Sequence, residues 1–547
     1  MKKTIIPILC FVFSGLFSGI TAQNDFEIVK NVDIFISVLN ELNDKYADEI
    51  SPGELTQTAI KAMLKSLDPY TVYYPESAIE DYRMMTTGDF VDADVTLQLI
   101  DGQMVITDMV EDGSPVKAGL RVGDRILKIN GVQPVSKTVE AFRVAMQGQP
   151  GSTYTIEVFR PTDNKNLTFK VKREKVKQPN IPYSGIIGDK VGYIKLNQFL
   201  EKAGKEVYDA FNKLKDEGIE YLIIDLRDNG GGLLGEAVNI IDLFVGKDVT
   251  VVETKGKIPE MNKIYKTRNV AADADIPIVV LVNEHSASAS EIVSGTLQDL
   301  DRAVIVGHKS FGKGLVQKVY SMDYNTSMKI TVSKYYIPSG RCVQNIEYFD
   351  RDTTKGGYKI PDSLAVAYKT KNGRTVYDKG GVEPDVAIPE ETVPDVLAAL
   401  IEEQAIFDFA NDYRAKHETI AEADKFVVED AIYNEFLQYL KTNKYTYTTA
   451  LEKKLEELKT AAEEEKSFTN IQTAYNQLKT LLENLKAQEL TIYKADIVRA
   501  LTQEIVSRYY YSTGKLINSL HNDRYIEEAK SVLLNSNRYK SILSPKR

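Results

Sequence analysis

At 547 residues the chain is long enough for roughly three or four domains, and 43% hydrophobic residues supply each with a core. Its 68 Lys and Arg against 78 Asp and Glu leave a net charge of −10, with no basic patch interleaved with aromatics, which argues against a nucleic-acid partner. The histidines stand far apart at His285, His308, His417 and His521, and Gly230–Gly232 lacks the Lys-Ser/Thr ending of a phosphate-cradling loop, so neither a metal nor a cofactor is expected.

In chain order, residues 1–22 read as a secretory signal peptide. Lys2 and Lys3 precede an apolar stretch from Ile5 to Ile20, and a small residue, Ala22, follows. The stretch is short for a membrane span, so the protein is expected to be exported, into the periplasm. Beyond Ala22 the sole cysteine is Cys342, which leaves no internal disulfide. Residues 23–80 read as helical: Val29, Val32, Ile36 and Leu39 recur at three- and four-residue steps. Ser51-Pro52-Gly53-Glu54 then gives an N-cap serine, a proline at the first helical position and a glutamate three residues on.

Residues 88–175 read as short strands with turn signals. Gly113-Ser114-Pro115, Ala118-Gly119-Leu120, Gly123-Asp124 and Ile129-Asn130-Gly131 form a series that closely resembles a PDZ domain. Such a domain captures an extended peptide as an added strand and holds its terminal carboxylate on backbone amides. The carboxylate loop aligns with Phe90-Val91-Asp92-Ala93-Asp94. Its two aspartates would repel a peptide C-terminus, so tail recognition is expected to be weakened or altered; two acids facing solvent, or a shifted alignment, is the competing reading.

Residues 183–390 alternate apolar β-branched runs (Tyr221–Leu226, Ile276–Val282, Ala303–Val306) with helical segments, the mark of an α/β core with buried strands. Within it the most informative stretch runs from Asn283 to Gln317. The run Ser286-Ala287-Ser288-Ala289-Ser290 ends a strand and opens a helix, where unpaired backbone N–H groups can hold developing negative charge. Phe311-Gly312-Lys313-Gly314 follows after the next strand. A lysine can serve as base for a serine if burial lowers its pKa well below the ordinary value of about 10.4. The two glycines permit close backbone approach there.

This pattern resembles the C-terminal processing (tail-specific) peptidases, serine–lysine proteases with a PDZ domain ahead of the catalytic core. The resemblance implies Ser288 as nucleophile, Lys313 as general base and Gln317 as the residue that orients the lysine. It puts the oxyanion at the N–H groups of Ala289 and Gly231, the latter in the loop Asp225–Gly232. It also covers the turn Leu67-Asp68-Pro69-Tyr70-Thr71, the segments Lys334–Arg341 and Gly380–Asp385, and in all about residues 55 to 388. The implied architecture is multidomain α+β: helical N-terminal segment, PDZ domain, crotonase- and Clp-protease-like core, and helical C-terminal domain.

Three alternatives stand beside it. Ser286 and Ser290 read equally as helix caps. His285, three residues before Ser288, permits a Ser–His hydrolase with Asp299 as third member. A catalytically silent PDZ scaffold that binds tails is the other class. Asp225 and Arg227 read as an ion pair that supports the loop. Residues 391–547 read as a charged helical domain; Leu451, Leu455 and Leu458, then Ile471, Tyr475, Leu478, Leu482 and Leu485, keep a four–three spacing that fits packing on neighbouring helices. The expected partners are proteins or peptides with accessible C-termini. A homodimer or adaptor contact through the C-terminal helices, and peripheral membrane association, stay open.

Overall fold

The computed structural model describes residues 9–76, 89–90, 94–134, 136–174, 176–177, 179–348, 357–378, 380–445 and 448–545. The chain opens on helices α1 (Leu9–Lys45) and α2 (Pro52–Lys65) and strand β1 (Val72–Tyr74). A β-rich segment follows: β2 (Val95–Ile100), β3 (Gln103–Met109), α3 (Ser114–Ala118), β4 (Arg125–Ile129), α4 (Val139–Met146), β5 (Thr153–Arg160) and β6 (Lys165–Lys172). The core comprises β7 (Tyr183–Ile186), β8 (Val191–Lys195), α5 (Ala203–Asp216), β9 (Tyr221–Asp225), α6 (Leu234–Asp242), β10 (Thr250–Gly256), β11 (Lys263–Lys266), β12 (Ile278–Val282), α7 (Ala289–Asp299), β13 (Ala303–Gly307), β14 (Leu315–Ser321), β15 (Ser327–Tyr336) and β16 (Val386–Ala387). Helices α8 (Asp395–Glu402), α9 (Ala405–Lys416), α10 (Asp430–Thr442), α11 (Ala450–Glu464), α12 (Phe468–Ile492), α13 (Lys494–Ser519), α14 (Arg524–Leu534) and α15 (Ser536–Ile542) complete it.

Two compact units emerge. Of the described residues, one gathers 9–76, 317–331, 348 and 357, and the other holds the rest. In the first, Ser51 Oγ accepts the Glu54 N–H and Pro52 opens α2, as the sequence predicts. The Leu67–Thr71 turn is closed by Asp68, whose carboxylate accepts from the N–H groups of Tyr70 and Thr71 and from Thr71 Oγ1. β1 then pairs antiparallel with the start of β15, Val72 opposite Lys329. No described helix is long and apolar enough to cross a membrane.

In the second unit, the β-rich segment is a five-stranded sheet in the order β2-β3-β4-β5-β6 around Ile106, Phe142, Met146, Ile156 and Val158. The core sheet runs β16-β13-β12-β9-β8-β7, parallel except for the β7–β8 pair. Strands β8, β12 and β13 are buried at every residue. Such strands need cover on both faces. On one face Leu222, Ile224, Val280 and Ile305 pack under α5, α6 and α7. On the other, Ile223, Val279, Leu281 and Val304 pack under Ile526, Ala529, Val532 and Leu533 of α14 and Tyr539 of α15. The last helices of the stretch 391–547, set apart by the sequence as a helical domain, therefore complete the core. The helices before them form their own cluster, with Phe409, Phe436, Leu501 and Ile505 at its centre. In the α11–α12 hairpin Leu455 and Tyr475 are buried, while Leu451, Leu458, Leu478 and Leu485 are exposed.

Candidate active site

The site lies at the C-terminal ends of the parallel strands, where α/β sheets leave a crevice. β12 ends at Val282, and six residues later the chain turns sharply at Ser288 into α7. Ser288 sits at φ 56°, ψ −111°, a conformation that L-residues avoid and that stores on the order of 1–3 kcal/mol. Its neighbours hold that turn. Ser286 Oγ accepts the Asn283 N–H at 2.9 Å and donates to the Leu226 carbonyl at 2.8 Å; Ser290 Oγ donates to the Asn229 carbonyl at 2.8 Å. Ser286 and Ser290 are fully buried in these structural bonds, and Ser288 between them is half-buried. The Ser288 carbonyl accepts from the hydroxyl of buried Tyr335 at 3.2 Å.

Glu291, one turn into α7, ties this turn to the lysine loop. Its Oε2 accepts the N–H of Ser288 and the N–H of Lys313, each at 2.8 Å. Its Oε1 accepts the Ser310 hydroxyl at 2.6 Å and the Gly312 N–H at 2.7 Å. Ser288 and Lys313 thus have their backbone N–H groups on one carboxylate oxygen. Burial pushes the Glu291 carboxyl above its ordinary range, opposed by all four donors. The loop admits no side chain at its glycines: a Cβ on Gly312 would lie 2.4 Å from Asn345 Cβ, and one on Gly314 2.8 Å from Cys342 Sγ. The Lys313 side chain is half-buried.

The glycine loop after β9 completes this side. Buried Asp225 is paired with Arg227 at 2.6 Å, the ion pair read from the sequence, and accepts the Tyr193 hydroxyl at 2.8 Å. The Arg227 guanidinium and Lys195 hold the Asp225 carboxyl well below the usual range despite burial. Asn229, fully buried, organises the turn: its carbonyl accepts the Ala287 N–H at 3.0 Å and its Nδ2 donates to the Leu196 carbonyl at 2.7 Å. Gly231 touches the Ser288 turn. A Cβ there would lie 2.9 Å from Ser288 Cβ, 2.9 Å from Ala289 N and 2.8 Å from the Ala287 carbonyl. The Gly231 N–H donates to Asn229 Oδ1 at 2.9 Å and is engaged within its own loop. Ala289 N–H belongs to the first turn of α7, where amides lack intrahelical partners.

Other expected residues lie elsewhere. The His285 ring is exposed beside Glu284, with 3.7 Å between Nε2 and Oε1. Asp299 closes α7 about 15 Å along its axis, where it pairs with fully buried Arg341 at 2.9 Å and accepts the Ser339 N–H. The geometry therefore does not assemble a Ser288–His285–Asp299 triad, because the helix carries Asp299 away. Gln317 belongs to the other unit, where its Nε2 donates to Thr331 Oγ1 at 3.3 Å. Of the carboxylate-loop residues, Val91, Asp92 and Ala93 lie outside the described residues; Phe90 pairs with Val176 through its backbone, and Asp94 is buried at a φ of 54°. Glu291 and Asn229 were not singled out from sequence. Glu291 had a signal, since Ser288-Ala289-Ser290-Glu291 is the spacing of a capping box.

Residues 190–353 match the model of Peptidase family S41, residues 92–172 that of the PDZ domain, and residues 396–533 that of the probable PDZ-protease C-terminal helical domain. A carboxy-terminal-processing protease of Bartonella bacilliformis is 33% identical over 334 residues, covering 60% of this chain and 76% of that one. A probable CtpA-like serine protease of Staphylococcus haemolyticus is 33% identical over 327 residues, 59% of this chain and 64% of that one. Among solved structures, the photosystem II D1 C-terminal processing protease aligns over 66% of this chain and 93% of its own at 25% identity and a TM-score of 0.36.

Proposed function

The chain belongs to the carboxy-terminal-processing proteases, serine-type peptidases of family S41 with a PDZ domain and a C-terminal helical domain, and on that premise we propose that it cleaves proteins through Ser288 and Lys313. The observation that carries this reading is the shared Glu291 oxygen, which brings the two backbones together at a strained turn. In the proposed reaction Ser288 Oγ attacks the scissile carbonyl while the neutral Lys313 amine takes its proton. The tetrahedral oxyanion is held by the Ala289 N–H and, once released from Asn229, the Gly231 N–H. Lys313 returns the proton to the departing amine, and water then hydrolyses the acyl-enzyme.

The substrates proposed are unfolded or flexible C-terminal regions, which can reach a crevice at the strand ends, with the PDZ domain engaging the tail. Export to the periplasm, by way of residues 1–22, is part of the same proposal. The test is digestion of an unfolded protein by the purified chain beside Ser288→Ala and Lys313→Ala. Cleavage by the parent and silence in both variants is the expected result; brisk cleavage by Lys313→Ala would remove the lysine from the mechanism.

A further inference from the structure

Both loops that carry the proposed site meet one short piece of the C-terminal segment. Asp523, which precedes α14, places Oδ2 2.8 Å from Arg227 Nη1, while its Oδ1 accepts the Tyr525 N–H at 2.8 Å and so caps the helix. Arg227 is the residue from which the glycine loop departs. Its guanidinium is shared between Asp225 and Asp523, its ring-facing side lies 4.7 Å from the Tyr525 ring centroid, and its carbonyl accepts Lys195 Nζ at 2.6 Å. Only 14% of the Arg227 side chain is exposed, so little water screens the pair.

Tyr525 reaches the other loop. Its hydroxyl lies 3.2 Å from His308 Nδ1, and the two rings meet edge to face with centroids 5.6 Å apart. His308 Nε2 is 2.9 Å from the Ile388 carbonyl, which can only accept, so that nitrogen carries a proton and the neutral ring presents Nδ1 as acceptor to Tyr525. His308 is the first residue after β13, and the five residues from it lead to Lys313. The ring of Tyr525 also closes over Gly307, where a Cβ would lie 3.2 Å from its Cε1. Glu284 Oε2 lies 3.5 Å from His308 Nδ1.

We infer that Asp523 and Tyr525 are positioning residues of the peptidase site: Asp523 sets the glycine loop through Arg227, and Tyr525 sets the lysine loop through His308. The inference rests on the Ser288–Lys313 reading for its effect on cleavage, but not for its effect on the loops. It makes the N-terminus of α14 a brace for the two loops that must keep their spacing during acyl transfer. Misplacement of about 1 Å costs on the order of 100-fold in such sites.

The experiment uses the full chain with Asp523→Ser, which keeps a helix-capping side chain but removes the charge from Arg227, and with Tyr525→Phe, which keeps the ring. Amide hydrogen exchange is followed in both, beside kcat and KM on an unfolded substrate. Asp523→Ser is expected to speed exchange at Leu226–Gly232 at least tenfold, leave α14 amides unchanged, and lower kcat about tenfold with KM within twofold. Tyr525→Phe is expected to do the same at His308–Gly312. Arg227→Lys combined with Asp523→Ser should lose no more than the worse single variant. Unchanged loop exchange in both variants would overturn the inference. If Lys313→Ala still cleaved, the dyad would fall, yet loop exchange would still decide the brace.

Discussion

Replacing Glu291 by Gln swaps one carboxylate oxygen for an NH2 and leaves the side-chain volume unchanged. At Oε2 that NH2 would face two backbone N–H donors, those of Ser288 and Lys313; at Oε1 it faces one N–H, that of Gly312, and the Ser310 hydroxyl, which can turn. The second orientation is the less costly. It still strands the Gly312 N–H, worth about 1–3 kcal/mol when buried and unmet, and removes charge assistance from the bonds that remain, about 1 kcal/mol each. Relief from burying a carboxylate, the cause of its raised pKa, offsets part of this. A net loss of about 2–4 kcal/mol follows, concentrated where the Ser288 turn meets the Lys313 loop. In urea unfolding the variant should be less stable by that amount, and on an unfolded substrate kcat should fall about 100-fold with KM nearly unchanged. Parent-like stability and kcat in Glu291→Gln would refute the claim that this carboxylate sets the site.

Gly231→Ala should abolish cleavage and leave the fold intact, because its Cβ has no room beside Ser288 and the residue stands at φ 102°; digestion and circular dichroism test this, and a cleaving Gly231→Ala would contradict it. Asp299→Ala leaves fully buried Arg341 without its carboxylate and should cost about 3–5 kcal/mol in denaturant unfolding; a loss of activity at parent stability would instead give Asp299 a role in the chemistry. Burial pushes the Cys342 thiol up to about 11. Its alkylation by iodoacetamide should stay slow up to pH 9 and become fast on unfolding, and since the folded pKa is the higher one, stability should decline as pH rises from about 9 towards 11. Rapid alkylation of the folded protein at pH 8 would show the thiol to be accessible.

The parts of this site legible in the sequence are those whose reason is local. The buried runs Ile278–Val282 and Ala303–Gly307 declare strands covered on both faces, and the glycines around Lys313 declare a backbone that approaches something closely. What they approach is not written beside them: Gly312 abuts Asn345, and Gly314 abuts Cys342. Glu291 could be read as the glutamate of a capping box, but its bonds to Ser310, Gly312 and Lys313 cross from one strand-end loop to the next and depend on the sheet order. The spacing of Ile526, Ala529, Val532 and Leu533 marks an amphipathic helix without naming its partner. Most of that partner, the face formed by β8, β9, β12 and β13, lies more than two hundred residues earlier in the chain. The Ser288–His285–Asp299 alternative was open in sequence because linear distance says nothing of direction along a helix.

Labelling with a serine-reactive fluorophosphonate, followed by peptide mass mapping, tests the Ser288–Lys313 pairing most directly. The account predicts one adduct, on Ser288, formed by the parent and slowed at least 100-fold in Lys313→Ala although Ser288 is intact. Equal labelling of Ser288 in Lys313→Ala, or an adduct on another serine, would contradict it.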